Sequence, residues 1–196
     1  MILCFDTETT SLYPGQICQL AYVCQDGASL RARNLFFTVD QMEYSAYAVH
    51  GFSIEKLRAL SGGKRFEDYI DVIEQDFRLA DVIVSHNTAF DFSFMRTEFE
   101  RLGRVFEIKN EFCTMKKFTP VCKLPKKRGE GYKYPKLTEL CEYFGITEQR
   151  IEDVSQKVFG ETAGFHDARF DTSALLLALN LGIQNCKECE EIKKYL

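Results

Sequence analysis

Asp6 and Glu8 stand two residues apart after the apolar run Ile2-Leu3-Cys4-Phe5. On an extended backbone such residues point to one face, so the two carboxylates converge at the end of a first strand. Like charges this close repel strongly unless a cation lies between them. A lone pair of this kind reads more readily as an exposed strand end than as a metal site, but further acids follow. Asp91 comes after Val82-Ile83-Val84-Ser85-His86-Asn87, a strand pattern entering a polar turn and then a helix. An acid in a first helical turn suits the macrodipole, and strand ends at one edge of an open α/β sheet are also where ligands bind. Asn87 and Phe90 flank it and can face the same crevice, with Phe90 equally suited to the core. His166 and Asp171 are five apart, about 140° out of line on a helix. They share a site only if His166 precedes the helix, on the loop after Gly164. From such a loop an imidazole, which titrates near neutrality, can approach and leave a cation-held water.

The rest of the composition narrows the classes open to the chain. Its 196 residues make one domain, or one domain with a short appendage. Apolar residues at 45% and charged residues at 28% exclude disorder and collagen-like repeats. No apolar run approaches the roughly 20 residues of a bilayer span, and no basic leader precedes residue 6. The expectation is a soluble, cytoplasmic protein without a membrane partner. Of eight cysteines, only Cys186 and Cys189 fall at C-x-x-C spacing, and a structural zinc needs a second pair or a histidine. The three histidines lie elsewhere, at 50, 86 and 166, so the thiols read as reduced and mostly buried.

The acids need elements to position them. Strand patterns at 2–5, 17–23 and 31–39, separated by Pro14-Gly15 and Asp26-Gly27, predict an antiparallel meander. A helix is predicted over 54–60, capped by Ser53 and stopped by Ser61-Gly62-Gly63. Apolar spacing predicts further helices over 66–79, 89–102 and 137–144, the last two stopped by Gly103 and Gly145, and a final one over 167–181 closed by Gly182. Residues 82–84 and 111–114 complete the strands. The sum is an α/β domain with a mixed sheet.

Charge is unevenly spread along the chain, whose formal net charge is −4. Residues 109–136 hold nine lysines or arginines against only Glu111 and Glu130. Such a stretch reads as a solvated loop or as a local grip on a polyanion. The expectation taken forward is contact with a phosphate backbone.

Asp6-Thr7-Glu8-Thr9-Thr10, His86-Asn87-Thr88-Ala89-Phe90-Asp91 and His166 with Asp171 resemble the three motifs of the DEDD exonuclease superfamily. The His-x4-Asp spacing resembles its DEDDh (DnaQ-like) branch. Ala48-Val49-His50-Gly51-Phe52 is similar to a segment of the proofreading epsilon subunit of bacterial DNA polymerase III. The resemblance runs from residue 2 to about residue 180. It implies an RNase H-like α/β fold, with a five-stranded mixed sheet flanked by helices. The exonuclease domain would span 1–182, and 183–196 would be a charged tail or short helix. It also implies two divalent cations, Mg²⁺ or Mn²⁺, held by Asp6, Glu8, Asp91 and Asp171, and His166 as general base. Carboxylate oxygens suit such hard cations. The implied reaction is 3′→5′ removal of nucleoside 5′-monophosphates from nucleic acid with a free 3′ end, single-stranded DNA before RNA. Thr7, Thr9, Thr10, Leu12, His50, Asn87 and Phe90 match substrate-side positions. Ser11 departs from the pattern, since many relatives carry glycine there. Two other readings are an exoribonuclease using the same site and a non-catalytic nucleic-acid-binding or polymerase-docking module. Past Gly182 only about one short helix remains, so a polymerase partner is possible but not indicated.

Overall fold

The computed structural model describes all 196 residues. Strands β1 (Ile2–Thr9), β2 (Ile17–Asp26), β3 (Ser29–Phe36), β4 (Val82–Ser85) and β5 (Glu111–Cys113) form one sheet in the order β3-β2-β1-β4-β5. The first three make the predicted antiparallel meander, and β4 and β5 run parallel to β1. Eight helices surround the sheet: α1 (Tyr44–His50), α2 (Ile54–Ser61), α3 (Ile70–Leu79), α4 (Thr88–Arg101), α5 (Thr114–Cys122), α6 (Leu137–Tyr143), α7 (Glu148–Phe159) and α8 (Ala168–Asn185). This is the α/β, RNase H-like arrangement expected from the motifs. No helix is long and apolar enough to cross a membrane.

Alternation along β1 divides the core. Ile2 and Cys4 face one side, packed with α6, α7 and α8, whereas Leu3 and Phe5 face the other, packed with α3 and α4. The second side is built on aromatic edges: Phe5 meets Phe77 at 5.2 Å, and Phe106 meets Phe99 at 5.2 Å. Asp76 on α3 fastens that helix to the sheet, accepting from the Tyr22 hydroxyl (2.7 Å), Arg31 (2.7 Å) and Arg33 (2.9 Å). Burial alone would raise its carboxyl, but these three donors hold it below the usual range.

Several elements differ from their sequence expectation. β1 does not stop at Phe5 but continues through Asp6, Thr7 and Glu8, paired with Ala21, Leu20 and Gln19 of β2. Backbone pairing on the sheet carries the strand where apolar patterning has ended. A register irregularity follows between Glu8 and Thr9, and bulges re-aim side chains next to sites. Residues 66–79 open as a 3-10 turn, Phe66–Tyr69, before α3 begins. Helices α1, α5 and α7 were not foreseen. Gly182 does not close the last helix: α8 runs on to Asn185, and a Cβ at 182 would meet Phe118 at 2.3 Å. Glycine is there for close packing, not for a turn. Beyond α8, a 3-10 segment, Lys187–Tyr195, buries Cys189 and Ile192 against the core. All eight cysteines are free, and six are buried.

Candidate active site

The acids collect where β1 and β4 end side by side. Asp6 and Glu8 share the face of Ile2 and Cys4, toward α8, and Asp171 sits in the first turn of that helix. Ligand oxygens of Asp6, Glu8 and Asp171 lie within 4.8 Å of one another. Asp91 comes from the opposite layer, in the first turn of α4. Thr7, which points to that layer, donates its hydroxyl to Asp91 Oδ1 at 2.8 Å. Alternation on a single strand thus serves both sides: Asp6 and Glu8 enter the cluster, and Thr7 between them orients the fourth acid.

Burial and mutual repulsion leave these acids reluctant to ionise. Asp6 is held well above the ordinary range, first by burial and then by Asp171, Asp91 and Glu8. Glu8 is pushed up to about 9 by burial, Asp171, Asp167 and Asp91. Asp171 is raised to about 7 by burial and by Asp167, against the pull of the His166 main chain. Asp91 rises to about 6 through burial, opposed by the Thr7 hydrogen bond. None of the molecule's ion pairs involves any of the four, and Arg169, two residues before Asp171, is occupied by Asp167 and Glu161. Carboxylates gathered inward without a protein cation are the kind of donors a hard divalent cation takes; Asp6, Glu8 and Asp171 lie in one group, and Asp91 lines the same cleft outside it. The residues present fit that group.

A cleft of about 580 Å³ opens over the cluster, lined by Asp6, Thr7, Glu8, Asn87, Phe90, Asp91, His166 and Asp171. His166 lies before α8, as its spacing from Asp171 requires. It is exposed and takes a left-handed backbone, φ 62°. Such a backbone in a non-glycine residue costs about 1–3 kcal/mol, and His166 lines the cleft. The other expected substrate-side residues do not line the cleft. Thr9 is buried, its hydroxyl donating to the Ser11 carbonyl, and the Thr10 hydroxyl accepts from Gln16 N–H. His50 is buried, its Nε2–H donating to the Thr9 carbonyl at 3.2 Å and its Nδ1 accepting from Phe52 N–H at 3.0 Å. Its position braces the end of β1. Leu12 projects into solvent, 70% exposed. Ser11 has no positive φ, and its hydroxyl caps the turn through the Tyr13 carbonyl.

The far wall of the cleft is made of residues that the motifs do not include. Tyr134, Pro135, Lys136, Leu137 and Thr138 line it, with Met115 and Phe165. His86 ties this wall to the sheet: its Nε2–H donates to the Pro135 carbonyl at 2.9 Å, and Nδ1 faces the Thr114 hydroxyl at 3.0 Å. Burial lowers its imidazole to about 4, so it stays neutral at physiological pH. The basic composition of 109–136 was the one sequence signal for this wall.

The nuclease domain of 3′hExo, described as a DEDDh family member bound to rAMP, superposes with a TM-score of 0.63 at 11% identity, covering 95% of this chain and 92% of that one. Exonuclease I of E. coli in complex with a dA16 oligonucleotide gives 0.70 at 16% identity over 98% of this chain, and its zinc-bound complex with single-stranded DNA gives 0.75 at 16%. The chain spans 43% and 42% of those two structures. At such identities the likeness is one of fold. No curated protein matches in sequence. The family profile described as "Exonuclease", that of RNase T, matches residues 3–177, from the strand that carries Asp6 to the helix that carries Asp171. The chain therefore belongs to the RNase T exonuclease family.

Proposed function

We propose that the protein is a metal-dependent 3′→5′ exonuclease that releases nucleoside 5′-monophosphates from single-stranded DNA. The observation that carries this reading is the convergence of Asp6, Glu8 and Asp171 within 4.8 Å beneath an exposed His166. Asp6, Glu8, Asp91 and Asp171 would hold two divalent cations, Mg²⁺ or Mn²⁺, whose contribution is to neutralise the scissile phosphate and activate water. A ring nitrogen of His166 accepts the proton of the attacking water. Thr7 keeps Asp91 aimed at the cluster, and Phe90 and Asn87 flank the entering 3′ nucleotide. A ribonucleotide end is the second reading, since the 3′hExo domain, of nearly this chain's length, is described as bound to rAMP.

Digestion of 5′-labelled DNA and RNA oligomers with Mg²⁺ or Mn²⁺ tests this. Wild type should shorten the label one nucleotide at a time. Asp6→Asn should be inactive, and His166→Ala slower by about 10²–10⁴, the usual worth of a general base. Internal fragments, or an intact strand under both metals, would remove the exonuclease reading; the ratio of DNA to RNA rates decides the substrate.

A further inference from the structure

Residues 123–136 form an arm between α5 and α6. An antiparallel bridge joins Pro125 to Tyr132, and Lys133 N–H donates to the Leu124 carbonyl at 2.9 Å. Gly129 and Gly131, with φ of 78° and 88°, reverse the chain at its tip. Three cations at that end, Lys126, Lys127 and Arg128, are exposed and have no ion pair, unlike Lys109, Lys117 and Lys133.

The base of the arm is anchored on both sides of a single residue. Lys133 is held by Leu124 and by an ion pair with Glu139. Pro135 is buried and held by His86. Tyr134 lies between them with a fixed backbone and a free side chain. It is 59% exposed, borders the cleft and has no aromatic neighbour. A flat ring presented at the mouth of an acid cluster, followed outward by unpaired cations, is the pattern of a single-strand binding track. Bases stack on aromatics, and phosphates meet cations. The rigid mount matters, because ordering a mobile ring would subtract from the affinity that stacking supplies.

We propose that Tyr134 stacks on a base of the single strand leading into the active site, and that Lys126, Lys127 and Arg128 bind its phosphates farther from the cut. His86 acts as a positioning residue, through the Pro135 carbonyl. The direction of the strand rests on the exonuclease reading; the grip itself does not. Inside a duplex each base is already stacked between its neighbours, so the ring finds a free face only on unpaired or terminal bases, and the arm favours single strands over closed duplex.

The test is fluorescence anisotropy with labelled 15-nucleotide DNA and RNA single strands and a blunt DNA duplex, on the Asp171→Asn background with Mg²⁺. Tyr134→Ala should weaken single-strand binding about tenfold, the size of one lost base stack. Tyr134→Phe should stay near wild type, and duplex binding should not respond. Changing Lys126, Lys127 and Arg128 to Gln should lower the slope of log K against log salt by about 2, at roughly 0.7 per phosphate on a single strand. The tighter of the DNA and RNA arms names the preferred strand. The proposal is overturned if the Ala variant binds like wild type, if Phe fails as Ala does, or if the salt slope stays put. Hydrolysis by the otherwise wild-type chain separates the two claims. A strand gripped through Tyr134 yet never shortened leaves the grip and removes the exonuclease; a strand shortened without Tyr134 dependence does the reverse.

Discussion

Burial acts in opposite senses on two kinds of side chain around this cleft. It raises the carboxyls of Glu8 and Asp171, and it lowers the imidazole of His86 to about 4. Both effects disfavour the charged form. For His86 the consequence is a stability that depends on pH. Above the unfolded imidazole pKa, about 6.5, both states are neutral and its contribution is fully present. Between about 6.5 and 4 the unfolded chain takes up a proton that the folded one refuses, so stability falls with pH; below about 4 the loss is complete. The difference in unfolding free energy between wild type and His86→Gln should shrink by roughly 3 kcal/mol from pH 7 to pH 4, at about 1.4 kcal/mol per pH unit. Urea titrations at the two pH values measure it, and a pH-independent difference would show that the imidazole is not held neutral.

At the scale of elements, the same glycine can look like a stop and act as a socket. Gly182 leaves room for the buried Phe118 ring of α5 and for Cys189 Sγ, which a Cβ would approach to 3.0 Å. Gly182→Ala should therefore destabilise by about 1–3 kcal/mol, the usual range for overpacking, even though alanine is the better helix former. A melting temperature at or above wild type would contradict this. Elements with their own local signals were legible: α2 has its Ser53 cap bonded to Lys56 N–H and its Gly62 stop, and β4 is fully apolar. What escaped was set by tertiary contact. α5 hides among lysines and contains Pro120, and it exists because Phe118 packs on α8. The buried Ile151 of α7 is scattered among charges. Strand spacing by itself aimed only Asp6 and Glu8 at one face; Asp91 and Asp171 joined them through the resemblance of their motifs to a known family. The far wall was not legible, because nothing local joins His86 to Pro135, 49 residues away. His50 matched a motif, but its two ring bonds to the main chain emerge only in three dimensions.

For the whole molecule, the acid cluster is a place where folding works against itself until a cation arrives. Binding to the folded state alone stabilises by about 2.7 kcal/mol at a hundredfold excess over Kd. For a chain of this size that is roughly 5–10 °C in melting temperature. Saturating Mg²⁺ or Mn²⁺ should produce such a rise over EDTA. Asp171→Asn should lose most of it, while melting above wild type in EDTA because one repelling charge is gone. Wild-type curves that coincide with and without the metals would argue against the cation site independently of any activity assay.

Asp6 and Glu8 lie on the first strand, and Asp171 lies on the last α-helix. Synthesis proceeds from the N-terminus, so a ribosome exposes three of the four acids long before the fourth. Until α8 has left the exit tunnel, the nascent chain has no complete cluster.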